Sequence, residues 1–168
     1  FNVMSINIDG SNHLMLVNDG YFNLLPQPSF DGSEILYISD RSLYSISQLV
    51  VMNNDGSNST LITGDTLSIR MAKWSPIDKT IAFSAYEKEN YYTYNIYTIN
   101  HDGQNLKKIT DGIPVHAIGS FDWSPDGKRI VYDVQSVSGY DIYIIDIDSL
   151  NIHNIVSSDQ WPRIWPMW

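Results

Sequence analysis

One short turn recurs along this chain at an almost constant interval. Asp9-Gly10, Asp55-Gly56, Asp102-Gly103 and Asp148-Ser149 lie 46 (9 to 55), 47 (55 to 102) and 46 (102 to 148) residues apart. The copies align without a gap on both sides of the turn. One column reads Val3, Leu49, Ile96, Ile142, and another reads Ile6, Met52, Ile99, Ile145. After the turn come Asn12, Asn58, Asn105, Asn151, then Leu16, Ile62, Ile109, Ile155. Self-similarity at a fixed period commits a chain to stacked copies of one supersecondary unit. The clearest copy is residues 95–110, NIYTINHDGQNLKKIT. Apolar and polar residues alternate on both sides of its Asp-Gly. That pattern predicts a hairpin closed by a two-residue type I′ turn, with φ > 0 at both central residues.

A second motif lies between the hairpins. Residues 123–132 read WSPDGKRIVY, residues 74–83 WSPIDKTIAF and residues 28–37 PSFDGSEILY. Trp123, Trp74 and Pro28 share a column, as do Ile130, Ile81 and Ile35, then Tyr132, Phe83 and Tyr37; Trp168 falls where the next Trp is due. Each repeat therefore holds four short strands, which at this period is a propeller blade. Helix-pair solenoids are excluded, because no sustained apolar spacing of three and four residues occurs.

The combination of W-S-P-D-G-K, a β-run ending in an aromatic, D-I-Y-x-I-D and D-G-x-N-x-x-x-I-T resembles the TolB-type, or WD-like, β-propeller repeat. Residues 123–132 and 141–146 carry it most fully, and four successive copies cover essentially the whole chain. Ile77-Asp78 stands for Asp-Gly in one copy, Ser149 for Gly in another, and the first copy lacks the Trp. The resemblance implies an all-β propeller of four-stranded antiparallel blades, about three full ones and two partial. It implies a non-catalytic binding or scaffold module, periplasmic or extracellular, with a protein or glycan partner. Related blades also form the accessory propellers of prolyl-oligopeptidase-like serine peptidases, which is the alternative.

The expected division is a partial blade at 1–17, blades at about 22–64, 69–111 and 118–157, and the start of another at 161–168. Residues 1–7 are apolar on both faces, as strands between neighbouring blades must be. In this repeat the strand before W-S-P is expected innermost. The W-S-P-D-G and D-G-x-N turns then share one face. Longer loops occupy the other: 17–26, 64–70, 111–119 and 157–164 between blades, and 40–47, 86–93 and 134–140 within them. The sequence opens at Phe1 and stops inside a strand, so a longer parent chain is expected. Its open edges are expected to pair with the remainder of a larger propeller or with another copy of the chain.

Charge and motif content narrow the function. A net charge of −9 argues against a nucleic-acid surface, and the chain has no cysteine. No apolar run is long enough to span a membrane as a helix. No G-x-S-x-G nucleophile elbow and no phosphate-binding glycine loop occur. His13, His101, His116 and His153 have no metal-ligand spacing, and the Asp-Gly pairs supply too few oxygens for calcium. Neither a cofactor nor a catalytic residue is expected. Asp31, Asp126, Asp133 and Asp141 fit turn and edge roles.

Loops on a rigid scaffold carry recognition, so the long-loop face is the expected ligand surface. Its candidates are Arg41, Arg70, Tyr86, His116, Trp161 and Arg163. Trp74, Trp123 and Trp168 read as blade packing. Trp161 and Trp165 around Arg163 carry two readings, a binding hot spot or a cover for the end of the array. Tyr86, Tyr91 and Tyr92 form a smaller aromatic cluster.

Overall fold

The computed structural model describes residues 1–41, 46–111, 118–136, 139–158 and 166–168, except for the side chains of 90–92, 118, 136, 157 and 158. Among these residues every regular element is a strand. β1 (Val3–Ser5) pairs with β2 (Leu14–Val17) in a two-stranded sheet. The first blade is the antiparallel meander β3 (Asn23–Pro28), β4 (Glu34–Ser39), β5 (Gln48–Asn53) and β6 (Thr60–Leu61). The second comprises β7 (Leu67–Trp74), β8 (Thr80–Glu87), β9 (Asn90–Asn100) and β10 (Lys107–Lys108). The third comprises β11 (Ile118–Trp123), β12 (Arg129–Ser136), β13 (Gly139–Asp146) and β14 (Ile152–Ser158).

Side chains alternate across each strand, so every blade presents apolar residues to both neighbours. On β4, Tyr37 and Ile35 face back toward Val3 and Val17, while Leu36 and Ile38 face forward. On β8, Ile81, Phe83 and Ala85 pack against the first blade, and Ala82 packs against the third. The core is thus a series of interfaces between sheets. Phe83, fully buried at the first of the full interfaces, is worth about 1.5–3 kcal/mol by transfer.

The tryptophan column stitches these interfaces together. The Trp74 indole N–H donates to the Gln27 carbonyl (3.1 Å), and the Trp123 indole N–H donates to the Lys73 carbonyl (3.3 Å). Gln27 and Lys73 occupy the same column one repeat apart. Each ring is buried and satisfies its one polar atom on the inner strand of the blade before it. Trp168 lies against the third blade, with the Arg129 guanidinium 4.9 Å from its ring centroid.

The hairpin turns differ from the type I′ expectation. Gly10, Gly56 and Gly103 have φ of 81°, 87° and 82°, but the preceding aspartates do not enter the left-handed region. Gly56 N–H bonds to the Asn53 carbonyl, and Gly103 N–H to that of Asn100, both at 2.9 Å. These are three-residue loops, a turn followed by a left-handed glycine. The aspartate serves instead as an acceptor. Asp55 Oδ1 takes the Ser57 N–H at 2.9 Å, and Asp102 Oδ1 takes the Gln104 N–H at 3.0 Å. Two residues beyond each glycine, Asn12, Asn58 and Asn105 are also left-handed, a conformation asparagine tolerates well. In the copy where Ser149 replaces glycine the loop is rebuilt. Leu150, not Asn151, is left-handed, and its N–H bonds to the Asp146 carbonyl.

Several strands run further than the sequence pattern suggests. β7 begins at Leu67, and β8 and β9 extend the ladder to Glu87↔Asn90. The expected loops 64–70 and 86–93 are therefore largely strand. Tyrosines account for the second extension, since Tyr86 and Tyr94 pair directly across it.

Candidate functional site

The inner strand of every blade slips register near the same end. The slips fall between Leu24 and Gln27 in β3, Ile69 and Met71 in β7, and Ile118 and Phe121 in β11. A bulge sets an extra residue against the partner strand and re-aims its side chain. In β7, Ile69 pairs with Ala85 and Met71 with Ser84, so Arg70 is the inserted residue. Its exposed guanidinium lies 5.4 Å from the Tyr94 ring centroid. Tyr94 in turn meets Tyr86 edge-on, with centroids 5.3 Å apart and planes at 78°. Among the described residues Arg70 has no carboxylate partner. A cation held over an aromatic face is oriented at a gain of about 0.5–1 kcal/mol while its N–H groups stay open to a ligand.

Arg70 and Tyr86, read from the sequence as loop residues, are thus neighbouring strand residues joined through Tyr94. The sequence reading left Tyr94 off the site. Its cue was the tyrosine-rich run YYTYN at 91–95, which marks a strand as readily as a loop. Arg41 has a different environment. It donates to Asp19 Oδ2 (2.8 Å) and to the Tyr37 hydroxyl (3.0 Å), and packs over the Tyr37 ring. Partial burial raises the Asp19 pKa, but hydrogen bonds from Asn23 and the Tyr21 N–H, with the Arg41 charge, lower it on balance. Arg41 is therefore committed within its own blade. His116, Trp161 and Arg163 lie outside the described residues, as do the side chains of Tyr91 and Tyr92.

The short-turn face is built from contacts that satisfy one another. Asp31 Oδ1 accepts from the Ser29 hydroxyl (2.7 Å), the Ser33 hydroxyl and the Ser33 N–H, which hold its pKa well below the usual carboxylate range. Asp126 repeats the arrangement on Ser124 and the Lys128 N–H. Where Ile77-Asp78 interrupts the motif, Asp78 caps the Thr80 N–H instead (2.9 Å). Lys79 reaches back to Glu34 Oε2 (2.9 Å), whose other oxygen meets His101 Nδ1 (3.0 Å). The Glu34 carboxylate is the leading reason that the Lys79 pKa is raised. Asp133, buried in the third blade, accepts from the Ser120 hydroxyl and N–H, and Gly119 leaves the room its carboxylate fills. Among the described residues no three His, Asp or Glu side chains converge as a metal site.

Four-stranded meanders stacked face to face, with an aromatic column stitching each to the last, define a β-propeller array. The sequence matches no family model. Two curated relatives are similar to it, and both are Tol-Pal system protein TolB. That of Gluconobacter oxydans is 24% identical over 141 residues, 83% of this chain and 30% of the relative. That of Wigglesworthia glossinidia brevipalpis is 36% identical over 78 residues, 46% and 17% respectively. Among solved structures, TolB from Acinetobacter baumannii superposes with a TM-score of 0.73 at 18% identity, over 91% of this chain and 37% of that one. Oligogalacturonate lyase in complex with manganese gives 0.67 at 19% identity, covering 91% and 47%. Puromycin hydrolase gives 0.68 at 13% identity, covering 89% and 23%. The chain has a β-propeller fold similar to that of TolB, and it spans 30% or less of the length of the curated relatives it matches.

Proposed function

We propose that this chain is a non-catalytic recognition module that engages a protein partner through the long-loop end of its blades. The observation that carries this reading is the bulge-presented Arg70 stacked on Tyr94 and Tyr86. It is an exposed cation on a rigid aromatic platform, with no carboxylate partner among the described residues. Arginine and tyrosine on a preorganised scaffold are the composition of interface hot spots. A glycan would use the same aromatic platform by stacking. Periplasmic residence fits the similarity to TolB and the absence of cysteine.

The test is site-specific photo-cross-linking in the protein's own cells. A cross-linker at Tyr86 should capture one defined partner in a cell envelope fraction, and one at Asn58 on the short-turn face should not. Capture at Asn58 alone would move the site to the other face. A second reading, the accessory propeller of a larger enzyme, is favoured by the similarity to puromycin hydrolase. A hydrolase segment with a nucleophile elbow elsewhere in the parent chain would decide for it.

A further inference from the structure

The β8–β9 hairpin has two faces, and the one turned away from Arg70 borders a concavity. Tyr94 and Ala82 pack toward the third blade, while Phe83, Ala85 and Tyr97 pack toward the first. On that first-blade side lies a cavity of about 490 Å³, lined by Asp65, Thr66, Leu67, Glu87, Lys88, Glu89, Tyr97 and Leu106. Leu67, Leu106 and the Tyr97 ring supply its apolar surface. Leu67 is buried, Leu106 is half exposed, and the Tyr97 ring is stacked on Phe83 with centroids 5.3 Å apart.

The rim is acidic, and its backbone is tied across the cavity. The Lys88 N–H donates to the Thr66 carbonyl (2.9 Å), tying the hairpin tip to the start of β7. Glu87 Oε1 accepts from the Tyr97 hydroxyl (3.3 Å) and from Lys108 Nζ (3.4 Å), which holds that carboxylate at the wall. Asp65 and Glu89 have no hydrogen bond or ion pair to any described residue. The lining holds three carboxylates and one lysine; with Glu87 bound to Lys108, Asp65 and Glu89 are the two left beside the apolar surface of Leu67, Leu106 and Tyr97.

A ligand that fits both features has an aliphatic stem and a cationic head. Lysine and arginine side chains have this form. Their methylenes cover apolar surface while the charge stays at the wet edge. We propose that this cavity takes a lysine or arginine side chain presented by a protein partner, with Leu67, Leu106 and Tyr97 against the stem and Asp65 and Glu89 at the head. The inference rests on the reading of the long-loop end as a protein-recognition surface. It gives that surface two sides of opposite charge preference on one hairpin, Arg70 for an acidic group and the cavity for a basic one.

The test is an NMR titration of the isotope-labelled chain with Nα-acetyl-lysine N-methylamide, using the norleucine analogue as the uncharged control. Saturable shifts are expected at the amides of residues 65–67 and 87–89. The norleucine analogue should bind about fivefold more weakly, the scale of two partly exposed ion pairs. The Asp65→Asn/Glu89→Gln double variant should lose the same factor while keeping its spectral dispersion. Absence of saturation, equal binding of the two probes, or shifts scattered over the whole acidic surface would overturn the proposal. If the lysine probe fails while cross-linking at Tyr86 still captures a protein, only the cavity assignment falls. If cross-linking moves to Asn58, the face assignment falls with it.

Discussion

The two ends of the blades are made of different material. At the short-turn end polar side chains repeat their roles from blade to blade: Asp31 in the first blade and Asp126 in the third bind equivalent serines, and Asp55 and Asp102 cap equivalent amides. At the long-loop end the backbone bulge repeats, but the residue placed on it does not. Where β7 sets out Arg70, the register slip in β3 holds Leu25 and Pro26 and that in β11 holds Gly119 and Ser120. The repeated end holds the array together, and the unrepeated end is free to vary. Recognition is therefore sought where a repeated backbone device carries an unrepeated side chain.

Breaking the repeated end should cost the most stability. Gly103 needs its left-handed φ, and a Cβ there would lie 3.1 Å from the Ile62 carbonyl oxygen of the preceding blade. Gly103→Val should destabilise by about 1–3 kcal/mol from backbone strain, with the inter-blade clash added. An unchanged denaturation midpoint would remove the turn from the account. Trp123→Phe leaves most of the buried ring but removes the indole hydrogen bond to the Lys73 carbonyl, and should cost about 1 kcal/mol. Glu34→Gln weakens the Lys79 and His101 contacts between blades. Its effect should stay below about 1 kcal/mol and shrink in high salt, as urea melts at two salt concentrations would reveal.

Acid should act on the same end. Asp31 and Asp126 have folded-state pKa values below the ordinary 3.8 because serine hydroxyls and backbone N–H groups bond to the ionised form. Their contribution to stability is present above that ordinary value. It is lost as pH falls through it toward the lower folded-state value. The melting temperature should drop across this acid window, and Ser29→Ala with Ser124→Ala should flatten the drop. An unaltered slope in the double variant would detach these aspartates from acid unfolding.

Much of this was legible in the sequence, because a repeat multiplies weak signals. The Asp-Gly positions fixed the period, and the Trp74 and Trp123 column marked the face that packs on the preceding blade. The turn type was not legible. A type I′ turn and a turn closed by a left-handed glycine both ask for glycine at one position, and the aspartate suits either. The Arg70 bulge was hidden for another reason. A bulge is defined by the partner strand, which skips a residue at Ala85↔Ile69 and Ser84↔Met71. A strand read alone carries no mark of it. Tyr86, Tyr91 and Tyr92 fall in the expected loop 86–93, where the charged Glu87, Lys88 and Glu89 hide the strand pattern. Only the pairing of Tyr86 with Tyr94 shows that the ladder continues to a tight tip.

At the unrepeated end the expectation is reversed. Arg70→Ala should change stability by no more than about 0.5 kcal/mol, since the side chain is exposed and makes no ion pair among the described residues. Its effect should appear in binding. The most direct measurement compares Arg70→Ala with Lys79→Ala, a cation from each end, for affinity toward the partner captured through Tyr86. Arg70→Ala should weaken binding about tenfold or more, the scale of a hot-spot residue, and Lys79→Ala should leave it within about twofold. A large loss at Lys79 with none at Arg70 would contradict the assignment of recognition to the long-loop end.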